Sequence, residues 1–297
     1  MDAALILKQK VDAGEISGFN QASSYLEQSR VVKALLADFD FDVLNLLNRL
    51  TEISEIPFAH GLEKVQKWLN KLGELAFCED GFSFSGKSDD MLSCYNSMIV
   101  SILLRMNYPL KERIKKGIDW ILDYQNLERG AENKWTGSRI FKYGGCMRST
   151  PCYIGIVKAM IALTDFKKRA DYVLDANIEK KLEKGLAYIL DHQIYLRHSK
   201  GQPITADILK LTYPFSYKTN VIEILRLLKD NNLASDKRCD LAKAYIQSKM
   251  HKDGFWRVNS SYLPKCWVLF DETKDQGKWI SYEIGKLLNK SNIYELS

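Results

Sequence analysis

The sequence predicts an all-α domain of repeated helical hairpins, and three observations support it. A nine-residue unit recurs, because Gly117-Ile118-Asp119-Trp120-Ile121-Leu122-Asp123-Tyr124-Gln125 aligns with Gly185-Leu186-Ala187-Tyr188-Ile189-Leu190-Asp191-His192-Gln193 at five identical positions of nine. Segments apolar on nearly every side alternate with segments apolar on one side only. Loops of two lengths separate them. Weaker copies of the unit centre on Trp68-Leu69 and Tyr245-Ile246, and a period of this size accommodates a helical hairpin with its loop.

In chain order, residues 1–58 carry additional helices, with apolar stripes through Val31, Leu35 and Leu36 and through Val43, Leu46 and Leu47. The first one-sided helix passes through Trp68. Cys94-Tyr95-Asn96-Ser97-Met98-Ile99-Val100 opens a segment apolar all round, as in a helix buried on every side. Asn107-Tyr108-Pro109 turns into the helix of Trp120. Cys152-Tyr153-Ile154-Gly155-Ile156-Val157 opens the next buried helix, with Ser149-Thr150-Pro151 ahead of it as capping residues and a first-turn proline. Ile178, Leu182, Leu186, Ile189 and Leu190 then form one stripe opposite Glu179, Lys180, Lys181, Glu183 and Lys184, a helix with one side in water. A third buried helix starts near Thr219, a one-sided helix follows Ser235 or Asp236, and a fourth buried helix starts near Trp279.

Concentric inner and outer layers, an α/α toroid of about five hairpins and ten or eleven helices, are the simplest packing that satisfies both helix types. Residues 1–297 form a single domain, with an N-terminal helical segment over 1–58 and the repeats over 60–290. The long outer-to-inner loops, about 76–92, 126–150, 194–214 and 251–277, fall at one end of such a toroid, where function usually resides.

Composition narrows the function classes. The 46% hydrophobic and 27% charged residues are those of an ordinary globular chain. The longest apolar run, Met98 to Leu104, stops at Arg105, short of a membrane helix. The start Met1-Asp2-Ala3-Ala4-Leu5-Ile6-Leu7-Lys8 is unlike a secretory signal, so a cytoplasmic location is expected. The net charge of +6 comes from basic residues interleaved with acids in helical blocks, which reads as solvated faces. No nucleic-acid-binding motif accompanies them. The six cysteines include no CxxC pair, which argues against a disulfide framework.

The outer-helix aromatics, Gln125 and Gln193, the turns Asp80-Gly81-Phe82 and Asp253-Gly254-Phe255-Trp256, Cys152-Tyr153, and Lys278-Trp279-Ile280 resemble the repeats of the prenyltransferase and squalene-cyclase superfamily. The stretch Cys146 to Leu288 is similar to uncharacterised prokaryotic toroid proteins. The resemblance implies an α/α toroid in which the repeated Gln, Gly and aromatic residues tie outer helices to inner-helix starts. It also implies chemistry to look for. Class II cyclases protonate an alkene with an aspartate-rich acid at an inner-helix start. Here Ser88-Asp89-Asp90 stands there without the full Asp-x-Asp-Asp motif, so Asp89 and Asp90 are either that acid or an N-cap. Protein prenyltransferases bind zinc through aspartate, cysteine and histidine. Cys152 matches the cysteine, but Thr150 replaces the aspartate and the next inner start, Pro214-Phe215-Ser216-Tyr217-Lys218-Thr219, lacks the histidine.

Two further possibilities rest on residue chemistry. Cys146, Cys152, His192 and His198 fall in or beside adjacent long loops, and zinc favours thiolate and imidazole ligands. Packing and loop support explain the same four residues. Tyr95, Tyr153, Tyr217, Trp267 and Trp279 gather at inner-helix starts or long loops, where they either line a site for an apolar, isoprenoid-like ligand or fill the ring themselves. The functions in competition are therefore a prenyltransferase-like or cyclase-like toroid binding an apolar ligand, a non-catalytic scaffold for a protein partner, and a carbohydrate-active toroid using carboxylates such as Asp80, Asp89 and Glu128.

Overall fold

A computed structural model describes residues 1–131, 134–135, 150–169, 171–172, 175–198, 201–259, 268–272 and 274–290. The chain is mostly helical, with 56% helix and 2% strand. Among the described residues there are twelve α-helices, one or two more than the repeat pattern predicts: α1 (Ala3–Asp12), α2 (Phe19–Gln28), α3 (Arg30–Leu35), α4 (Val43–Ile53), α5 (Glu63–Leu75), α6 (Ser93–Arg105), α7 (Lys111–Tyr124), α8 (Tyr153–Lys167), α9 (Ala176–Asp191), α10 (Val221–Asp230), α11 (Asp240–Ser248) and α12 (Lys278–Leu287). The surplus lies in the first 58 residues, where short helices end before a sequence period can build up. The sheet is one two-residue hairpin, β1 (Phe77–Cys78) paired antiparallel with β2 (Gly81–Phe82). No described helix is long and apolar enough to cross a membrane.

The two helix types of the sequence are two burial classes. In α8 every residue from Gly155 to Phe166 is buried, and α6 is buried from Asn96 to Leu104. In α9 only Ile178, Leu182, Gly185, Leu186, Ile189 and Leu190 are buried, which matches the predicted stripe. The buried helices pack on one another: α6 on α8, α8 on α10, α10 on α12, and α4 on α6. The one-sided helices lie against them, α5 on α4 and α6, α7 on α6 and α8, and α9 on α8.

Neighbouring buried helices run parallel. The start of α6 meets the start of α8, where Ser93 Cβ stands 3.5 Å from the point a Cβ on Gly155 would occupy. Their far ends meet through Arg105 and Asp165. α8 and α10 pair Lys158 with Glu223 early and Thr164 with Asn231 late. The C-terminal half of α1 also touches α12. Asp12 accepts the Tyr282 hydroxyl at 2.8 Å and the Lys286 ammonium at 2.6 Å.

Side chains hold the hairpins together. Asn96, fully buried, accepts from the Phe82 N–H at 3.0 Å and donates to the Gly117 carbonyl at 2.9 Å, so one amide joins β2, α6 and α7. Gln125 takes the Ser93 hydroxyl at the start of α6. Gln193, its counterpart in the repeat, is exposed with φ 44°, so the matched glutamines do different work. Trp256 donates its indole N–H to the Ile246 carbonyl at 2.7 Å and receives the Gly277 N–H at 3.1 Å, closing α11 onto α12. Gly254, at φ 82°, supplies the left-handed residue that turns the chain into it.

Two expected helix starts differ. The N-cap of α8 is Cys152, without a side-chain cap bond, and Pro151 lies outside the helix because the chain is still extended at residue 152. Asp89 and Asp90 do not cap α6: they form their own 3-10 turn, and the N-cap is Leu92.

Asn96→Ala removes the acceptor of one buried N–H and the donor to one buried carbonyl. Each unsatisfied group costs roughly 1–3 kcal/mol. The expected loss of unfolding free energy is therefore about 2–5 kcal/mol in urea titration, with Asn45→Ala, on the exposed face of α4, costing less.

Candidate functional site

Charged groups lie buried between the helices, which the apolar patterning of the sequence does not advertise. Glu55, just beyond α4 and 4% exposed, accepts a bidentate pair from Arg226 of α10, with Nη1 to Oε2 at 2.6 Å and Nη2 to Oε1 at 2.8 Å. The Tyr213 hydroxyl donates to the same Oε2 at 3.1 Å, and Arg105 of α6 stands 3.6 Å from Oε1. Arg105 Nε and the Ser101 hydroxyl both donate to Asp165 of α8, at 2.7 and 2.5 Å. Lys8 of α1 stands 3.2 Å from Glu283 of α12, within ion-pair range but outside hydrogen-bond geometry. Lys158 of α8 donates to Glu223 of α10 at 2.6 Å and to the Ser216 carbonyl at 2.7 Å. Residues of α1, α6, α8, α10 and α12, with Glu55 just past α4, thus contribute to a lattice of buried ionic groups.

The lattice sets the protonation of its members. Burial works against the Glu55 carboxylate, but Arg226, Lys8 and Arg105 together outweigh it and hold its pKa well below the usual carboxylate range. Burial works against the Lys8 ammonium too, and Glu283 and Glu55 overcome it, so its pKa is raised. At Lys158 burial wins over Glu223 and the pKa falls. A cavity of about 10 Å³ lies beside Arg105, Asp165, Glu223 and Arg226. That is space for about one water.

The residues singled out from sequence fall in several places. Tyr153 and Trp279 are 7% and 1% exposed and packed. Trp279 stacks on Tyr213 with ring centroids 6.1 Å apart and meets Phe270 at 4.8 Å, while Tyr153 donates to the Ile194 carbonyl at 2.5 Å. Tyr153 is packed among its neighbours, whereas Trp279 is packed and also borders a cleft at the start of α12. Tyr95 and Tyr217 are half-buried and stacked at 5.1 Å, near Phe84 and above Cys94. Burial pushes the Cys94 thiol up to about 11. Asp90 is buried and accepts the Ser85 hydroxyl at 2.6 Å, whereas Asp89 is exposed. Asp80 sits in the β1–β2 turn and Glu128 on the exposed turn after α7. Trp267 and Cys146 lie outside the described residues.

The four possible metal ligands are only partly gathered. His192 and His198 bring their rings to 4.0 Å. Cys152 is half-buried on the α8 N-cap. Among the described residues no three histidines, cysteines or carboxylates cluster in a metal-binding arrangement, so Cys152 does not join the two imidazoles.

A wider cleft opens beside the starts of α1 and α12. It measures about 890 Å³ and is bordered by charged groups such as Asp2, Arg30, Asp271 and Lys278. Asp271 caps α12, accepting the Trp279 and Ile280 N–H groups at 3.0 and 2.9 Å. Burial nevertheless raises its pKa to about 6, because those amides offset only part of the desolvation. Sequence reasoning found neither Asp271 nor the ionic lattice. An acid seven residues before a helix, or lone charges at scattered sites in apolar helices, leave no periodic signal.

Comparison with protein-family models, with curated proteins and with solved structures returns no match.

Two outcomes test the electrostatics. Arg226→Met leaves Glu55 without its bidentate partner, and breaking a buried pair costs about 3–5 kcal/mol. The partial exposure of Arg226 places the expected loss at the lower end, with Lys67→Met on the surface costing under about 1 kcal/mol. The two acids give opposite pH slopes. Asp271, raised from 3.8 to about 6, favours the folded state below pH ~4 and loses that contribution as pH rises towards 6. Glu55, lowered, stabilises above its unfolded pKa of about 4.3 and loses that contribution as pH falls. Urea midpoints of Asp271→Asn therefore lose the decline between pH 4 and 6, and those of Glu55→Gln lose the decline below pH 4.

Proposed function

We propose that this chain is an α/α toroid acting as a non-catalytic scaffold for a protein partner. The ring reading is supported by the sequence of parallel neighbours α4, α6, α8, α10 and α12, together with the return of α12 to α1 through Asp12, Tyr282 and Lys286. On this reading α1 is the sixth inner helix, which five hairpins alone would lack. The observation that carries the scaffold reading is the ionic lattice buried between those helices. A prenyl chain needs an apolar pocket of some 300 Å³ or more. Here Glu55, Arg226, Lys158, Glu223 and Asp165 put ion pairs between the helices, and the cavity beside Arg105, Asp165, Glu223 and Arg226 measures only about 10 Å³. Inserting an alkyl chain there would separate charge pairs in a poorly solvated place, at a cost its own burial cannot offset.

A second reading, a toroid that binds an apolar ligand at the long-loop end, draws on the half-buried Tyr95–Tyr217 stack with Phe84 beside it. Titration of intrinsic tryptophan fluorescence with farnesyl diphosphate, geranylgeranyl diphosphate and a polyprenol separates the two. The scaffold reading expects no saturable change, and a partner recovered at fixed stoichiometry by cross-linking of the untagged protein. Saturable binding that disappears in Tyr217→Ala would replace it with the apolar-ligand reading.

A further inference from the structure

The loop that follows α9 holds a feature that neither the scaffold nor the ionic lattice uses. His192, at the C-cap of α9, is 3% exposed. Its Nδ1 lies 2.7 Å from the Leu196 carbonyl oxygen. A carbonyl only accepts, so the neutral ring carries its proton on Nδ1 and leaves a bare lone pair on Nε2. That Nε2 is buried and, among the described residues, has no hydrogen-bond partner. An imidazole anchored through one nitrogen to a backbone carbonyl, with the other nitrogen free, has the form of a metal ligand with its outer support in place.

The surrounding backbone holds that ring at a cost. Gln193 and Ile194 take φ of 44° and 73°, and a β-branched residue in the left-handed region is an outlier. The conformation is locked by the Tyr153 hydroxyl on the Ile194 carbonyl and by the full burial of Ile194. Strain of this kind persists where the surroundings over-determine it. It brings His198, six residues on and exposed, to a ring-centroid distance of 4.0 Å from His192. Two imidazole nitrogens on one tetrahedral zinc, each about 2.0–2.1 Å from it, stand about 3.3 Å apart. That geometry puts the two ring centroids about 5 Å apart, so the exposed His198 ring has to swing outward by about 1 Å to share an ion with His192.

We propose that His192 and His198 form an open, two-imidazole site for a borderline divalent cation such as zinc, its remaining positions taken by solvent or by donors from another molecule. The site does not depend on the scaffold reading.

The probes are Zn²⁺ and Co²⁺ added to the full chain after chelator treatment. One equivalent of Zn²⁺ is expected to bind in competition with a chromophoric chelator. Its affinity should fall by at least about tenfold in His198→Ala and again in His192→Ala. His198 is exposed, so His198→Ala should keep its circular dichroism and thermal midpoint, and a fold defect in His192→Ala would not blur the result. His60→Ala and His251→Ala should bind as the parent does. The Co²⁺ adduct should show visible d–d bands and no thiolate charge-transfer band. Less than one equivalent bound, unchanged affinity in His198→Ala, or a thiolate band, which would assign the metal to cysteines, would each overturn the proposal.

Discussion

The fold turns on the carboxylate of Glu55. It sits just past the end of α4, yet it binds Arg226 of α10 in bidentate fashion and accepts from Tyr213, whose ring stacks on Trp279 of α12. Arg105 of α6 approaches from another side and passes on to Asp165 of α8. A single acid therefore links segments as distant as residues 55 and 226. Burial alone would drive its proton on, and only the surrounding cations keep it charged. Those cations in turn would be costly without it. Buried ionic groups of this kind do little for net stability compared with a well-packed apolar core, but they discriminate between packings. A helix displaced by one turn would strand a charge, whereas a slipped apolar contact finds another partner.

The helices were legible in the sequence where periodicity was long enough to act as a signal. α7 and α9 follow from the repeated Gly-to-Gln unit, and the contrast between α8 and α9 follows from where polar residues are tolerated. The all-round burial of α6 and α8 was legible for the same reason. Less could be read where the structure depends on single residues. α3 is only six residues long, so the predicted stripe reaches it only through Val31 and Leu35. Tyr153 and Trp279 are aromatic at helix starts, and sequence cannot tell a ring that lines a cavity from one that fills it. Asp89 and Asp90 are adjacent acids before a helix, but the helix begins four residues on from Asp89, after a separate turn. The candidate site was the least legible part. Arg105 ends an apolar run and reads as a boundary. Lys158 and Glu223 read as isolated polar breaks in buried helices, and only the three-dimensional neighbourhood shows them to be 2.6 Å apart. For His192 the sequence identified the residue, but the free Nε2 depends on a carbonyl four residues later that no spacing rule indicates.

The parallel course of the buried helices explains why the charges are distributed as they are. Parallel neighbours such as α6, α8 and α10 place their partial positive N-termini together and their partial negative C-termini together, an arrangement that repels itself unless side chains intervene. Acids and amides stand at the first end: Asp2 caps α1, Asp42 caps α4, Asn220 caps α10 and Asp271 serves α12. Cations stand at the other. Arg169 donates to the Leu104 carbonyl at the end of α6 at 2.8 Å, Lys229 reaches the Lys286 carbonyl at the end of α12, and Arg105 is itself the last residue of α6. Glu55 acts as the shared counter-ion of Arg226 in the middle of α10 and Arg105 at the end of α6. Replacing Glu55 alone would strand two guanidinium groups without their common carboxylate, and replacing Arg226 alone would leave a buried carboxylate with only the more distant Lys8 and Arg105 to hold its charge. Neither half of the pair can be lost without stranding the other.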